Sequence, residues 1–263
     1  MTSERISLRD SSLIAAYAEN IQRYDFALQY SRDKRVLDAG CGTGYGAQYL
    51  ALNGARSVLA VDISSDAISE ATANYRSENL CYEPRDIEML EDDPALRDQF
   101  DVVVNFENIA HLMHPERMVK GVSTLLPKEG TFIISTPNGD ISALDEHGAP
   151  VYKFHHRVYA SSDLMSLVSP HFSRVSMYGQ WLTHAGMLRK VRAKELFDQT
   201  CEAYYNPMSR FGRVLSRLLG RRAARLPQFT GAADSFPGDY EIRSLESNAY
   251  PWPPTVLLAV CEK

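Results

Sequence analysis

Apolar residues recur at every third or fourth position through the first thirty residues of the chain. This spacing predicts an amphipathic helix that buries one face, and Ser11 and Ser12 stand where a helix cap is expected. The apolar positions are Leu13, Ile14, Tyr17, Ile21, Tyr24 and Leu28.

From residue 34 onward, short apolar runs alternate with segments of helical spacing. This alternation is typical of parallel βαβ units whose helices cover both faces of a sheet. The predicted fold class is therefore α/β with a doubly wound, seven-stranded sheet. The predicted strands are 34–38, 57–62, 80–82, 100–105, 130–135, 172–178 and 255–261, and the helices between them are 47–52, 66–75, 115–126 and 161–168.

The stretch between the last two predicted strands is too long for a hairpin, and loops of that length are rarely structureless inside a compact domain. We therefore expect an inserted, largely helical lid at 181–252. The remaining division is an N-terminal helical segment at 1–32 and a sheet core made of 33–180 and 253–263.

A glycine-rich loop follows the first predicted strand and contains Asp38, Gly40, Gly42 and Gly44. Ligands of doubly wound sheets bind at the carboxyl ends of strands, where glycine lets the backbone turn sharply and approach a ligand. The loop does not match a dinucleotide fingerprint, because the sixth position from Gly40 is Tyr45. A Gly-Lys-Ser/Thr phosphate loop is also absent, so NAD and ATP are both disfavoured.

Two acids stand at the ends of the next two predicted strands, Asp62 after the second and Asp86 after the third. The first of these is the place where an acid accepts hydrogen bonds from the ribose hydroxyls of a nucleoside. With the glycine loop, these residues predict a nucleoside-binding site.

The motifs VLDAGCGTGYG, VLAVDIS, RDI, FDVVVNFENIAHL and LLPKEGTFIISTPN follow one another in this order. Together they resemble the class I S-adenosylmethionine-dependent methyltransferases. The resemblance implies a Rossmann-like sheet whose last strand, 255–261, is antiparallel. It also implies S-adenosylmethionine as the cofactor.

Residue roles also follow from this resemblance. Gly40 and Gly42 would line the methionine portion of the cofactor, and Asp38 would help to hold its ammonium group through the loop. Asn105 would contact the methionyl end. Asp62 would bind the ribose, and Asp86 with Ile87 would border the adenine. Gly44 and Ile63 complete the implied cofactor-binding set.

The stretch STPN, followed by FHHRVY and a Ser-Ser-Asp-Leu helix start, is similar to bacterial methyltransferases that act on sugars, surface-glycan intermediates or secondary metabolites, and so is ENIQRYDFAL before the first strand. The resemblance implies that the N-terminal helices cover the cofactor. By that resemblance Tyr17, Arg23 and Tyr24 are candidate contacts to the cofactor carboxylate. The alternative interpretation is a packing helix with one exposed arginine.

A methyl group on a sulfonium is already activated, so a hydroxyl acceptor mainly needs alignment and a base that removes its proton. Histidine suits this role near neutral pH. His111 and His155 are the candidate bases, since they follow the fourth and fifth predicted strands. Glu107 is open to three interpretations: a base, a metal ligand or a polar residue at a strand end. No metal site is expected from the sequence.

The predicted reaction is O-methylation of a sugar or secondary metabolite, in free or phosphorylated form. N-methylation of an amino-sugar or metabolite amine is the nearest alternative. A catalytically silent cofactor-binding partner and a membrane-associated subunit are interpretations of a different class. Nucleic acid is disfavoured, because the fourth strand ends in Asn-Phe-Glu-Asn without the Pro-Pro-Tyr or Pro-Pro-Phe that holds a flipped base.

Composition bears on whether the chain folds and in which compartment it works. The chain has 263 residues, of which 44% are hydrophobic and 23% charged, as in ordinary folded proteins. Its four cysteines are far apart in the sequence, which favours free thiols in a reducing compartment. No apolar run is long enough to span a bilayer, and we expect a cytoplasmic protein.

The net charge of −5 argues against a general nucleic-acid binder, but the charge is unevenly placed. Residues 187–225 carry ten Lys and Arg against three acids. Within 210–225, apolar and arginine positions fall on different helical faces. Such a helix is open to three uses: contact with an anionic membrane, contact with a phosphorylated ligand, or packing against the core or the second subunit of a homodimer.

Overall fold

The computed structural model describes residues 14–142, 145, 150–152, 154–186, 188, 237–247 and 250–263, with the side chains of 14–18 and 237 outside that description. Eight strands form one mixed sheet in the order β3-β2-β1-β4-β5-β8-β6-β7. The strands are β1 Arg35–Ala39, β2 Ser57–Asp62, β3 Leu80–Pro84, β4 Val102–Asn105, β5 Thr131–Pro137, β6 Arg174–Leu182, β7 Tyr240–Ser244 and β8 Val256–Glu262.

Helices cover both faces of this sheet, because successive strand residues point to opposite sides. On β1, Val36 packs with the cluster under α1, α2 and α3, whereas Leu37 packs with the cluster under α4 and α5. The helices are α1 Ile14–Ser31, α2 Tyr45–Leu52, α3 Ser65–Asn74, α4 Pro115–Leu125 and α5 Ser161–Val168, and short 3-10 turns span Ile87–Asp92, Pro94–Leu96, Ile109–His111, Pro237–Asp239 and Leu245–Ser247.

The predicted α/β fold is confirmed, including the direction of the last strand. Strands β1 to β5 pair in parallel, whereas β8 lies between β5 and β6 and is antiparallel to both. The prediction of seven strands is wrong by one. An extra strand, β7, pairs antiparallel with the outer edge of β6 through Gly179↔Arg243 and its neighbours. It lies inside 181–252, which the sequence pattern had predicted to be largely helical.

Hydrogen bonds connect helix α1 to the antiparallel strands β6 and β7 and to Thr255, which precedes β8. Gln180 Nε2 on β6 donates to the Glu19 carbonyl at 2.8 Å. Gln22 Nε2 donates to the Tyr240 carbonyl on β7. Thr255 Oγ1 lies 3.2 Å from Glu19 Oε1. These contacts hold one face of α1 above the carboxyl ends of the strands.

Several sequence predictions fall outside the described residues. They are the caps Ser11 and Ser12 and the amphipathic basic segment 210–225. The division into three segments also stays a prediction. Within the part of the chain that the structure describes, none of the helices has the length and apolar character needed to cross a membrane.

Candidate functional site

A cavity of about 670 Å³ opens above the carboxyl ends of β1 to β5. The chain order reverses between β1 and β4, and such switch points are where doubly wound sheets bind ligands. The walls come from the middle of α1 and from residues at or after the carboxyl ends of β1 to β5. They comprise residues 19–20, 23–24, 40–43, 45, 62–63, 86–88, 106–108, 111–113, 137, 152 and 155.

The glycine loop forms the floor of this cavity, and hydrogen bonds to β2 fix its backbone. The N–H groups of Gly40 and Cys41 both donate to the Val61 carbonyl, at 2.8 and 2.9 Å. Gly42 has φ +53°, and a Cβ placed on it would meet no protein atom within 4 Å. Because Gly42 lines the cavity, this open space is available to a ligand that approaches the backbone closely.

Asp62 connects the floor to the end of β2. Its side chain is 6% exposed, and the carboxylate accepts hydrogen bonds from the N–H groups of Gly42, at 3.0 Å, and Ser64, at 2.9 Å. Asp62 therefore fixes the loop and presents a carboxylate to the same cavity. Both roles suit a group that accepts hydrogen bonds from ligand hydroxyls.

The end of β3 adds an acid and an apolar surface. Asp86 lines the cavity, and its Oδ1 accepts from the Glu88 N–H at 2.9 Å, which caps the following 3-10 turn. Ile87 is buried, whereas Ile63 after β2 is 70% exposed. Both isoleucines lie on the cavity wall beside the acid. This corner therefore combines apolar surface with hydrogen-bond acceptors.

Helix α1 brings a buried cation to the wall. Arg23 is only 2% exposed, and its Nη1 donates to Gln180 Oε1 at 2.5 Å. Its Nε is buried and has no hydrogen-bond partner among the described residues. A buried guanidinium without an acidic partner is costly, and the cost falls when an anionic ligand in the adjoining cavity neutralises its charge.

Tyr24, the next residue of α1, packs edge-on against Phe106 with ring centroids 4.9 Å apart. Its ring lies over Gly46 in α2, where an added Cβ would be 2.0 Å from the tyrosine ring. The glycine therefore permits α1 to dock closely on α2. The Tyr24 hydroxyl donates to Asp38 Oδ2 at 3.2 Å.

Asp38 is fully buried behind the loop and does not line the cavity. Burial is the main cause that raises its pKa to about 7, and nearby Asp62 adds to the rise, while the hydrogen bond from Tyr24 opposes it. The carboxyl group is thus an internal support for the loop, one layer below the wall.

Two other residues of the predicted cofactor set also lie behind the wall. Gly44 caps α2 and its carbonyl accepts from the Tyr82 hydroxyl at 3.1 Å. Asn105 is fully buried, and its Nδ2 donates to the Ala39 carbonyl at 2.6 Å, which ties the end of β4 to β1. The structure therefore favours support of the loop over direct ligand contact for both. Tyr17 lies in α1, but its side chain is outside the described residues.

The opposite end of the cavity, above β4 and β5, contains Glu107 in an unusual backbone conformation. Its φ is +54°, a region that side-chain-bearing residues rarely adopt. The Glu107 N–H donates to Ser135 Oγ at 3.1 Å, and the Ser135 hydroxyl donates to Glu107 Oε1 at 2.8 Å. This pair of bonds compensates the strain and fixes a carboxylate on the cavity wall.

The structure brings His111 and His155 together at this end. Their ring centroids are 4.8 Å apart, and the ring centroid of Tyr152 lies 4.7 Å from that of His155. His111 Nδ1 lies 2.8 Å from the Phe154 carbonyl. Because a carbonyl only accepts, Nδ1 carries the hydrogen, and Nε2 is the accepting nitrogen of the neutral ring.

Sequence reasoning had not placed several of these wall residues in the site. Tyr45, Phe106, Asn108 and Tyr152 line the cavity. The first three lie inside the motifs, which could have suggested them, whereas Tyr152 lies beyond the last motif. Among the described residues, no group of three or more His, Cys, Asp or Glu side chains is arranged to hold a metal ion.

Comparison with known proteins agrees with this geometry. A family model described as "Methyltransferase domain" matches residues 30–197, which is more than half of the chain. A probable S-adenosylmethionine-dependent methyltransferase of Mycobacterium tuberculosis is 35% identical over 164 residues, covering 60% of this chain and 55% of that protein. A ubiquinone biosynthesis O-methyltransferase of Coxiella burnetii is 35% identical over 114 residues, covering 43% and 47%.

A solved structure from Thermotoga maritima, described as a possible histamine N-methyltransferase, superposes with a TM-score of 0.56. It is 14% identical in sequence, and the match covers 96% of this chain and 91% of that one. At this identity the likeness shows the fold alone. The chain spans about half the length of the curated relatives it matches.

Proposed function

This chain belongs to the S-adenosylmethionine-dependent methyltransferase family, and on that premise we propose that it transfers a methyl group to a hydroxyl of a small molecule, a sugar or secondary metabolite. Family and fold both imply S-adenosylmethionine as the cofactor. The observation that carries the proposal is that three features line one cavity: the glycine loop, Asp62 and a buried Arg23 whose hydrogen bonds are incomplete.

The residues present fit this cofactor at three points. Arg23 lines the cavity and supplies a positive charge for the amino-acid carboxylate. Gly42 leaves open space for the chain that joins the carboxylate to the nucleoside. Asp62 offers carboxylate oxygens to the ribose hydroxyls. The three groups lie on α1, after β1 and at the end of β2, and all of them line the same cavity.

The adenine ring would lie at the β3 end of the cavity. Ile63 and Ile87 supply apolar surface for a flat ring, and Asp86 supplies an acceptor for its exocyclic amine. Ile63 is 70% exposed, so a ligand ring placed on it would remove apolar area from water.

When bound, the sulfonium supplies an activated methyl group for in-line transfer to a nucleophile. The acceptor would enter above β4 and β5, where Glu107, His111 and His155 line the cavity. His111 suits the removal of a hydroxyl proton, because its Nδ1 hydrogen bond to the Phe154 carbonyl leaves Nε2 as the proton-accepting nitrogen. These groups support a hydroxyl acceptor.

A second candidate is N-methylation, and Glu107 is the observation that favours it. A fixed carboxylate on the wall would attract a protonated amine to the acceptor end. The amine would lose its proton before transfer and would need no strong base. Substitution of both histidines separates the two reactions, since only O-methylation should then lose its rate.

Titration calorimetry with S-adenosylmethionine and S-adenosylhomocysteine, with NAD as the control, tests the cofactor. We expect micromolar binding of the first two and none of NAD. Methyl transfer from labelled cofactor to a panel of sugars, phosphorylated sugars, phenols and amines then tests the acceptor. Absence of cofactor binding would contradict the proposal, and binding without any transfer across the panel would favour a catalytically silent partner.

A further inference from the structure

We infer that Gln180 is a positioning residue that aims Arg23 at the ligand carboxylate and thereby makes the site select nucleosides that carry an amino-acid carboxylate. The inference rests on the proposed function, because it assumes that this cavity binds the cofactor. It adds a residue on β6, in the antiparallel half of the sheet and outside all the cofactor motifs in the sequence.

The first step is the electrostatic state of Arg23. Its side chain is almost fully buried, and the acceptor it contacts is the neutral amide oxygen of Gln180. Glu19, one turn earlier on α1, lies next to Thr255 Oγ1, and no carboxylate among the described residues forms an ion pair with Arg23. The positive charge is therefore left for a ligand to neutralise.

The second step is the orientation of the Gln180 amide. Gln180 is fully buried, its Nε2 donates to the Glu19 carbonyl at 2.8 Å, and its Oε1 accepts from Arg23 Nη1. An amide nitrogen only donates and an amide oxygen only accepts. The bond to the α1 backbone therefore determines that the oxygen faces the guanidinium, and the rotamer of Arg23 is fixed from one side.

The third step is the choice of an amide rather than an acid at this position. A carboxylate would hold the guanidinium equally well, but it would neutralise the charge and repel a ligand carboxylate. A glutamine orients the arginine and leaves its charge available. This combination suits a residue that supports anion binding without competing for it.

The test uses two ligands that share adenosine and sulfur but differ in the amino-acid group: S-adenosylhomocysteine and methylthioadenosine. Calorimetry would measure Kd for wild type, Gln180→Met, which keeps the length of the side chain, and Gln180→Glu, which keeps its shape. We expect Gln180→Met to raise Kd for S-adenosylhomocysteine by about tenfold, the scale of one bond to a charged group. Gln180→Glu should raise it further, and Kd for methylthioadenosine should change by less than about twofold.

A double-mutant cycle shows whether Gln180 acts through Arg23. In an Arg23→Met background, Gln180→Met should cause no additional loss of S-adenosylhomocysteine affinity. Thr255→Val is the matched control, since it removes the bonds of Thr255 Oγ1 to Glu19 Oε1 and to the main-chain carbonyl of Gln180 while leaving the Gln180 side chain and Arg23 in place. It should leave the preference between the two ligands unchanged, and thermal unfolding would verify that each variant folds.

Equal weakening of both ligands in the Gln180 variants would overturn the inference, because that result indicates a structural role. Additive effects of the two substitutions, or a Gln180→Glu variant that binds S-adenosylhomocysteine as well as wild type does, would overturn it too. Wild-type protein that binds neither ligand would instead contradict the proposed cofactor.

Discussion

The buried carboxyl of Asp38 should make the stability of the cofactor-free protein depend on pH. Asp38 lies on β1 beneath the glycine loop, and its pKa is raised from 3.8 to about 7, chiefly because burial removes the hydration of the charged form. The substitution Asp38→Asn removes the titrating group. It keeps an oxygen that can accept the hydrogen bond from the Tyr24 hydroxyl.

The direction in which pH changes the free energy of unfolding follows from the pKa of Asp38 in the unfolded and folded states. A carboxyl that titrates at 3.8 when unfolded and near 7 when folded binds a proton more tightly in the folded state. The stability that this tighter proton binding gives to the folded state is fully present below pH 3.8 and is lost as the pH rises towards 7. At about 1.4 kcal/mol per pKa unit, three units correspond to a loss on the order of 4 kcal/mol in the free energy of unfolding.

Urea unfolding of wild type and Asp38→Asn between about pH 4.5 and about pH 8.5 measures this loss. The variant should gain stability relative to wild type as the pH rises. Asp25→Asn is the matched control, because Asp25 also accepts from a tyrosine hydroxyl, that of Tyr49 at 2.8 Å, but is exposed. Parallel pH profiles for wild type and Asp38→Asn would refute the reasoning.

Three further predictions concern the site. Asp62→Ala should weaken S-adenosylhomocysteine binding by about 1–3 kcal/mol in calorimetry, and unchanged affinity would remove Asp62 from the site. Gly46→Ala should destabilise the protein by about 1–3 kcal/mol, because the new methyl overlaps the Tyr24 ring; an unchanged melting temperature would contradict that packing. Once an acceptor is identified, His111→Ala or His155→Ala should lower kcat by about 100-fold if the replaced histidine is the base. Changes of only a few-fold in both variants would exclude base catalysis by either histidine.

Much of the sheet could be predicted from the sequence, because its parallel strands are buried on both faces and appear as apolar runs. The run that became β2 coincides with its predicted bounds, whereas β7 was missed. That strand, Tyr240–Ser244, alternates apolar and polar residues over a short length beside a turn-rich segment. Its pairing with β6 arises from tertiary contact rather than from local pattern.

The site was predictable at the level of motifs and less so at the level of individual side chains. Gly40, Gly42 and Asp62 line the cavity, but Asp38, Gly44 and Asn105 lie behind it. The motif shows that a strand ends there, yet it does not show which residues reach the wall. Gln180 lies 157 residues from Arg23, so no local signal could connect them. The left-handed backbone of Glu107 likewise depends on Ser135 of another strand.

The insertion of β8 between β5 and β6 has a consequence for biosynthesis. A chain made from its N-terminus forms β5 and β6 long before residues 256–262 exist, so each strand first presents an unpaired edge. Both edges can be satisfied only by a late, non-local pairing, which slows folding and exposes nascent chains to misassembly. Nascent chains that stop short of β8 would therefore be the species most in need of chaperones, although they already contain every residue of the cavity wall.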